Sequence, residues 1–378
     1  MLLYISYDME GNRMRFFKKI IIGSVLFISS LSLSFAFSDK AAASDSHGAV
    51  RMHRLYNPNS GEHFYTGDVS EKNGLITEGW SYEGVAWYAP GYSLFPVYRL
   101  YNPNAGDHHY TMDVNERDHL VDVGWTYEGI GWYSSESQTV ALFRLYNPNA
   151  MGAGAHHYTV DEAEKDLLVD VGWSPEGISW YGMDETVAEP LIEQAEKGSL
   201  GFFEEMGASE AVNVLKNASY RAYTEIGAKN DATSLDNMKA ALDMIDDCNL
   251  IRANLGIEPL TVTDYMMAVA QSNANASAYI LSSTKQYNVA ENVAWASSDP
   301  FRVWYVNEKK LYDAGTTDFQ YTGHYQNIVN NSFTVTGYAV NNYGVYKKTD
   351  LQVFQYRTKG YSADEYRARF MKYYNQYR

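Results

Sequence analysis

Three short stretches decide how this chain reads: Ala290-Glu291-Asn292-Val293-Ala294-Trp295, Trp304-Tyr305-Val306-Asn307-Glu308 and Gly323-His324-Tyr325-Gln326. Two isolated acids and one histidine sit there among aromatic residues. His324 is the only histidine after residue 157, although the chain has nine. An imidazole near carboxylates can serve as a general base or as part of a metal site. A purely structural hydrogen-bonded cluster, with Glu291 capping backbone amides, is the competing reading.

Upstream, Thr233 and Ser234 can cap a helix from Leu235 to about Leu255, with Leu235, Met238, Leu242, Ile245 and Cys248 at helical spacing. Gly256 and Pro259 end it. Thr263-Asp264 opens a second helix through Met267, Ala270 and Ala274 to Leu281. Residues 327–340 and 351–356, rich in Val, Thr and Tyr, read as strands. The last segment begins with the capping box Ser362-Ala363-Asp364-Glu365 and predicts a helix that packs on its own domain.

Leu255-Gly256-Ile257-Glu258-Pro259-Leu260 and the alanine-rich helix precede the three opening stretches. Together, over residues 234–357, they resemble the CAP superfamily of cysteine-rich secretory proteins, antigen 5 and plant pathogenesis-related proteins. The resemblance implies an α-β-α sandwich with a central antiparallel sheet. It implies a cleft lined by two histidines and two acids that can bind a divalent cation such as zinc. By motif, Glu291 and Glu308 stand for the acids and His324 for one histidine, with Tyr325 beside it. The other histidine lies seven residues before the first acid, and that position is Thr284 here. The missing imidazole weakens a zinc site, so no cofactor is certain. The family is not united by one reaction. Its members include binders of lipids, sterols or peptides, so the resemblance points to ligand binding in the cleft. A metal-assisted or acid–base hydrolase using Glu291, Glu308 and His324 is the alternative.

The first half is a threefold repeat. Arg54-Leu55-Tyr56-Asn57-Pro58-Asn59 recurs at Arg99 and Arg144, 45 residues apart each time. Each copy continues with His-x-Tyr-Thr (from His63, His108 and His156), then Gly-Trp-x-x-Glu-Gly, then Trp-Tyr. Trp80, Trp125 and Trp173 hold one equivalent position, and Trp87, Trp132 and Trp180 the other. The third copy has an insertion at Met151-Gly152-Ala153, read as a loop. Strand, strand, short helix and strand in triplicate predict a β-rich pseudo-threefold module over 51–184, trefoil-like or small and propeller-like. Tryptophan and tyrosine faces suit sugar rings, so the module reads as a binder of cell-wall glycan or of a host surface. An adhesin or host-interaction protein is a further alternative. The competing structural reading makes the tryptophans core and pairs Arg54, Arg99 and Arg144 with Glu83, Glu128 and Glu176. His63, His108 and His156, being equivalent, are also candidates to meet on the axis as a metal site.

The fold class is therefore α+β, with residues 185–233 as linker and helical extension and 358–378 as a terminal helix. Arg15, Lys18 and Lys19, an apolar stretch and Ala41-Ala42-Ala43 read as a signal peptide over residues 1–43, predicting a secreted, extracellular or wall-associated bacterial protein. Without those residues the chain has 25 basic against 43 acidic residues, net −18, which argues against nucleic acid as a partner. Cys248, the single cysteine, excludes an internal disulfide and falls on an apolar helix face.

Overall fold

The computed structural model describes residues 48–150 and 152–378. The signal-peptide reading and Met151 of the insertion lie outside them.

Each repeat folds as two strands, a short helix and a third strand, the order read from the sequence. The first contains β1 (Ala49–Tyr56), β2 (His63–Thr66), α1 (Val69–Thr77) and β3 (Ser81–Pro90). The second contains β4 (Pro96–Asn102), β5 (Asp107–Thr111), α2 (Val114–Asp122) and β6 (Thr126–Tyr133). The third contains β7 (Val140–Tyr146), β8 (His156–Thr159), α3 (Glu162–Asp170) and β9 (Ser174–Gly182). In each, the first strand is the centre of a separate three-stranded antiparallel sheet. The turn after that strand is made locally: Asn57, Asn102 and Asn147 each accept a bond from the amide two residues on. Asp68, Asp113 and Asp161 cap the helices.

The three sheets close on one another in a cycle. The Tyr65 hydroxyl donates to the Tyr158 carbonyl at 3.0 Å, and the Tyr158 hydroxyl to the Tyr110 carbonyl at 3.1 Å. The Tyr110 hydroxyl accepts from the Tyr65 amide at 3.3 Å. These rings are fully buried, and Trp87, Trp132 and Trp180 lie against them with mutual centroid distances of 5.4 to 6.0 Å. A second ring of contacts surrounds this core. Arg54, Arg99 and Arg144 reach Glu83, Glu128 and Glu176 of their own repeats at 2.8 to 2.9 Å. Each also donates to a glutamate on the helix of another repeat: Arg54 to Glu164, Arg99 to Glu71, Arg144 to Glu116. The tryptophans divide: Trp87, Trp132 and Trp180 are core, whereas Trp80, Trp125 and Trp173 are half-buried.

A metal site of His63, His108 and His156 on the axis is corrected. The tyrosines occupy the axis, and each histidine instead meets the residue after the first histidine of another repeat: His157, Phe64 and His109, at 4.6 to 4.8 Å. Burial foremost, then the neighbouring imidazole, lowers His63 and His156 to about 3.

After Asp184 the chain is helical at once: α4 (Glu185–Glu196) contains Pro190 in its interior and is followed by α5 (Gly198–Glu205) and α6 (Ser209–Asn217). Arg51 of β1 bonds Glu189 at 2.9 Å and Glu196 at 2.5 Å of α4. Next come α7 (Leu235–Asn254), β10 (Thr261–Val262), α8 (Asp264–Ile280) and β11 (Ala290–Trp295). A π-helical stretch (Arg302–Asn307) runs into α9 (Glu308–Asp313) and then α10 (Phe319–Val329). The described chain ends with β12 (Val335–Asn341), β13 (Thr349–Gln355) and α11 (Ala363–Tyr377).

The sheet order is β10-β12-β13-β11. It is mixed rather than wholly antiparallel, because the two-residue β10 runs parallel to β12. Residues 327–329, expected as strand, belong to α10, and the strand starts at Val335. β12 is buried at all seven positions, so both faces are covered. Gly337 faces α8, where a Cβ would lie 2.1 Å from the Met266 carbonyl oxygen. Its neighbour Tyr338 faces the other way, toward Trp304 at 6.1 Å, on the side where α7 also packs. Cys248 is buried in this core and its thiol is pushed up to about 11 by burial. The capping box at Ser362 forms, and Tyr366, Phe370 and Tyr373 of α11 are buried against the domain.

Candidate functional site

β11, the π-helical stretch with α9, and α10 carry the three residues singled out from sequence. α10 is positioned first. Arg252 of α7, fully buried, donates to the carbonyls of Ile328 and Asn330 at 2.8 and 2.9 Å, satisfying the C-terminal end of that helix. Thr322 breaks the helical dihedrals within α10 at φ −134°. At the next residue a Cβ would lie 2.9 Å from the Phe319 ring, which is why a glycine precedes His324.

Across from α10, β11 supplies Asn292, which is fully buried. It donates to the His324 carbonyl at 3.0 Å and accepts from Asn327 at 2.9 Å. These two asparagines, missed as functional positions in the sequence, fix α10 to the strand. The signal was present: Asn292 follows Glu291 within the motif, and Asn327 lies one helical turn after His324.

His324 and Glu308 come together. The imidazole Nδ1 is 2.5 Å from Glu308 Oε1, and Glu308 Oε2 accepts the Tyr325 amide at 3.0 Å. Both carboxylate oxygens are thus used, and the Glu308 side chain is 14% exposed. The His324 ring lies 6.1 Å from Trp304, whose indole donates to the Val293 carbonyl. A carboxylate on Nδ1 fixes the ring and leaves Nε2 as its free nitrogen. Nε2 has no hydrogen-bond partner among the described residues, and the side chain is 34% exposed.

Glu291 does not join them. Successive strand side chains point to opposite faces, so while Asn292 reaches α10, Glu291 turns toward α8. Its carboxylate accepts from Asn273 of α8 and from Ser283, and burial raises its pKa. The expectation of a metal held by Glu291, Glu308 and His324 is corrected on this geometry. Among the described residues no three histidine, cysteine, aspartate or glutamate side chains gather as a metal site. The donors present do not fit zinc. His324 accordingly touches one acid rather than lying between two. Thr284 is buried, and its Oγ1 finds no partner among the described residues, so it does not replace the missing imidazole. Tyr325 contributes its backbone amide, while its ring is buried against Tyr305 and Tyr312 at 5.8 and 5.0 Å.

The segments around the pair expose several apolar side chains among polar ones. Val303, Val306, Leu311, Tyr312, Phe319 and Tyr321 are all exposed, and all belong to the π-helical stretch, α9 or α10, which pack on one another. Among the described residues no helix is long and apolar enough to cross a membrane.

Comparison with known proteins matches two parts of the chain. Residues 51–183 match a domain of unknown function (DUF5648), and residues 245–356 match the cysteine-rich secretory protein family (CAP). Pathogenesis-related protein 1C of Nicotiana tabacum is 38% identical over 99 residues, covering 23% of this chain. The chain spans 57% of that relative's length. Among solved structures, MpPR-1i is similar at 14% identity and a TM-score of 0.23, covering 32% of this chain and 94% of that one. A cysteine-rich secretory protein of Staphylococcus aureus subsp. aureus Mu50 is similar at 14% identity and a TM-score of 0.22, covering 35% of this chain and 41% of that one. Residues 245–356, which hold β11, α9 and α10 and so the His324–Glu308 pair, are a domain of the cysteine-rich secretory protein family.

Proposed function

We propose that the chain is a secreted binding protein. Its C-terminal domain takes an apolar ligand, a lipid or an extended peptide, beside His324 and Glu308 without turning it over. Its repeat module holds it at a glycan-bearing surface such as a cell wall. The observation that carries this reading is the pair itself: one imidazole nitrogen left open, no second acid beside it, and exposed apolar side chains on the elements that hold it. A polar anchor set in an apolar surround orients a ligand by one hydrogen bond and holds it by buried area. A hydrolase would need a nucleophile or an activated water held against Nε2. The single cysteine is in the core, and no hydroxyl of a described residue bonds that nitrogen.

Titration with a fatty acid and with an apolar peptide, followed by intrinsic fluorescence, tests this. Trp304 lies 6.1 Å from the His324 ring and should report occupancy. Saturable change in the wild type, lost in His324→Ala, supports the reading. An equal response from both proteins, or none from either, removes it.

A further inference from the structure

Internal repetition tests three times over which residues the fold requires. Leu55, Tyr65, Thr66 and Trp87, with their equivalents, are retained in all three copies and buried, and the core accounts for them. Arg54, Tyr56, His63 and Glu83, with their equivalents, are retained and yet remain part-exposed. The arginines and glutamates are explained in part by the ion pairs that join one repeat to another. The tyrosines are not. Tyr56, Tyr101 and Tyr146 each stand at the end of a central strand, packed against the first histidine of their own repeat at 5.0, 4.9 and 5.4 Å. Their hydroxyls bond no described residue.

The guanidiniums repeat the pattern. Each arginine uses Nε toward its own repeat's glutamate and Nη1 toward that of another repeat. In all three, Nη2 donates to no described residue, although the side chain is 21 to 22% exposed. Arg54 and Tyr56 are two residues apart on one strand, so they lie on the same face of the sheet. Glu83 and His63 meet on that face too, 3.5 Å apart. Every junction therefore offers an open donor, carboxylate acceptors and an aromatic ring of fixed orientation.

We propose that these three junctions are equivalent binding sites for a neutral pyranose, so that one chain engages a glycan at three points. This deepens the reading of the repeat module as a glycan binder and rests on it. The charge pattern selects the ligand class. Two carboxylates beside one guanidinium disfavour an anion, and the guanidinium disfavours a metal cation. Vicinal hydroxyls satisfy both the open donor and the acceptors, while the C–H face of the sugar lies on the tyrosine. Three sites about one axis give avidity for a polymer that a single site would lack.

Calorimetric titration of the full chain with chitotetraose, cellotetraose and maltotetraose provides the test, with sedimentation on insoluble chitin and peptidoglycan beside it. One of the tetrasaccharides should bind at three sites per chain. Tyr56→Ala, Tyr101→Ala or Tyr146→Ala should each leave two, and the triple variant none. The matching Tyr→Phe variants, which keep the ring and the fold, should weaken their site about 2- to 10-fold, the range of one hydrogen bond. Binding at one site per chain, or binding indifferent to these tyrosines, overturns the junction sites and leaves the glycan reading standing. No binding to any tetrasaccharide or insoluble glycan overturns both.

Discussion

Two histidines are held by a glutamate at almost the same distance, His108 Nδ1 by Glu62 at 2.6 Å and His324 Nδ1 by Glu308 at 2.5 Å. Their surroundings make them different objects. His108 also faces Glu128 through Nε2 at 3.4 Å, and its ring is wedged between Phe64 and Tyr101. Both of its nitrogens are used, and its task is to hold repeats together. His324 spends one nitrogen on Glu308 and keeps the other toward solvent. A histidine–glutamate pair is a fastening when every polar atom is consumed, and a candidate site when one is left over.

That contrast can be broken in a definite order. His108→Ala should have the largest effect, because the Glu62 side chain is only 4% exposed and would lose its imidazole partner. A loss of about 2–4 kcal/mol is expected, read by thermal or denaturant unfolding. Lowering the pH from 7 to 5 comes next. His63 and His156 sit at about 3 in the folded chain against an ordinary 6.5. The unfolded chain therefore takes up protons first, and stability falls as pH drops below 6.5, by about 2 kcal/mol for each of these two histidines at pH 5. The carboxylates of Glu116 and Glu164 are depressed, and their contribution is lost only at lower pH. Urea unfolding of the double variant His63→Gln/His156→Gln should show a flatter slope between pH 7 and 5.

Glu308→Gln should cost less, about 1 kcal/mol, since two charge-assisted hydrogen bonds become neutral ones. It should also weaken ligand binding, because Nδ1 is no longer held by a carboxylate. His324→Ala should change stability least, by under about 1 kcal/mol, as expected for a part-exposed side chain with one partner. A large loss of stability in His324→Ala would mean that the pair is a second fastening.

Much of the repeat module is legible in its sequence, because three copies of one pattern average out local accident. Strand, strand, helix and strand follow from Arg-Leu-Tyr, the Asn-Pro turn and the aspartate caps. The arginine pairing with Glu83, Glu128 and Glu176 is legible for the same reason. The ring closure is not: Glu71, Glu116 and Glu164 lie on exposed helices whose polar residues resemble any solvated face. Nor is the axis, since tyrosine and histidine are both retained and only packing decides which goes inside. In the C-terminal domain the helices from Leu235 and Asp264 start where Ser234 and Thr263 cap them. The start of the strand at Val335 is less legible, because the segment from Asn327 to Val329 carries similar residues and is held helical by Arg252 at its carbonyl end. Motif spacing carries no information about which face of an edge strand a side chain takes, so the sequence alone groups Glu291 with His324.

Mass balance on a bound ligand tests the central claim most directly. The chain is incubated with a radiolabelled fatty-acid ester and an apolar peptide, the bound fraction is separated, and its contents are weighed by mass spectrometry. The account predicts one ligand per chain recovered intact, with binding reduced at least tenfold in His324→Ala. Recovery of cleaved ligand from the wild type but not from Glu308→Gln would contradict it and make the open imidazole nitrogen a catalytic base.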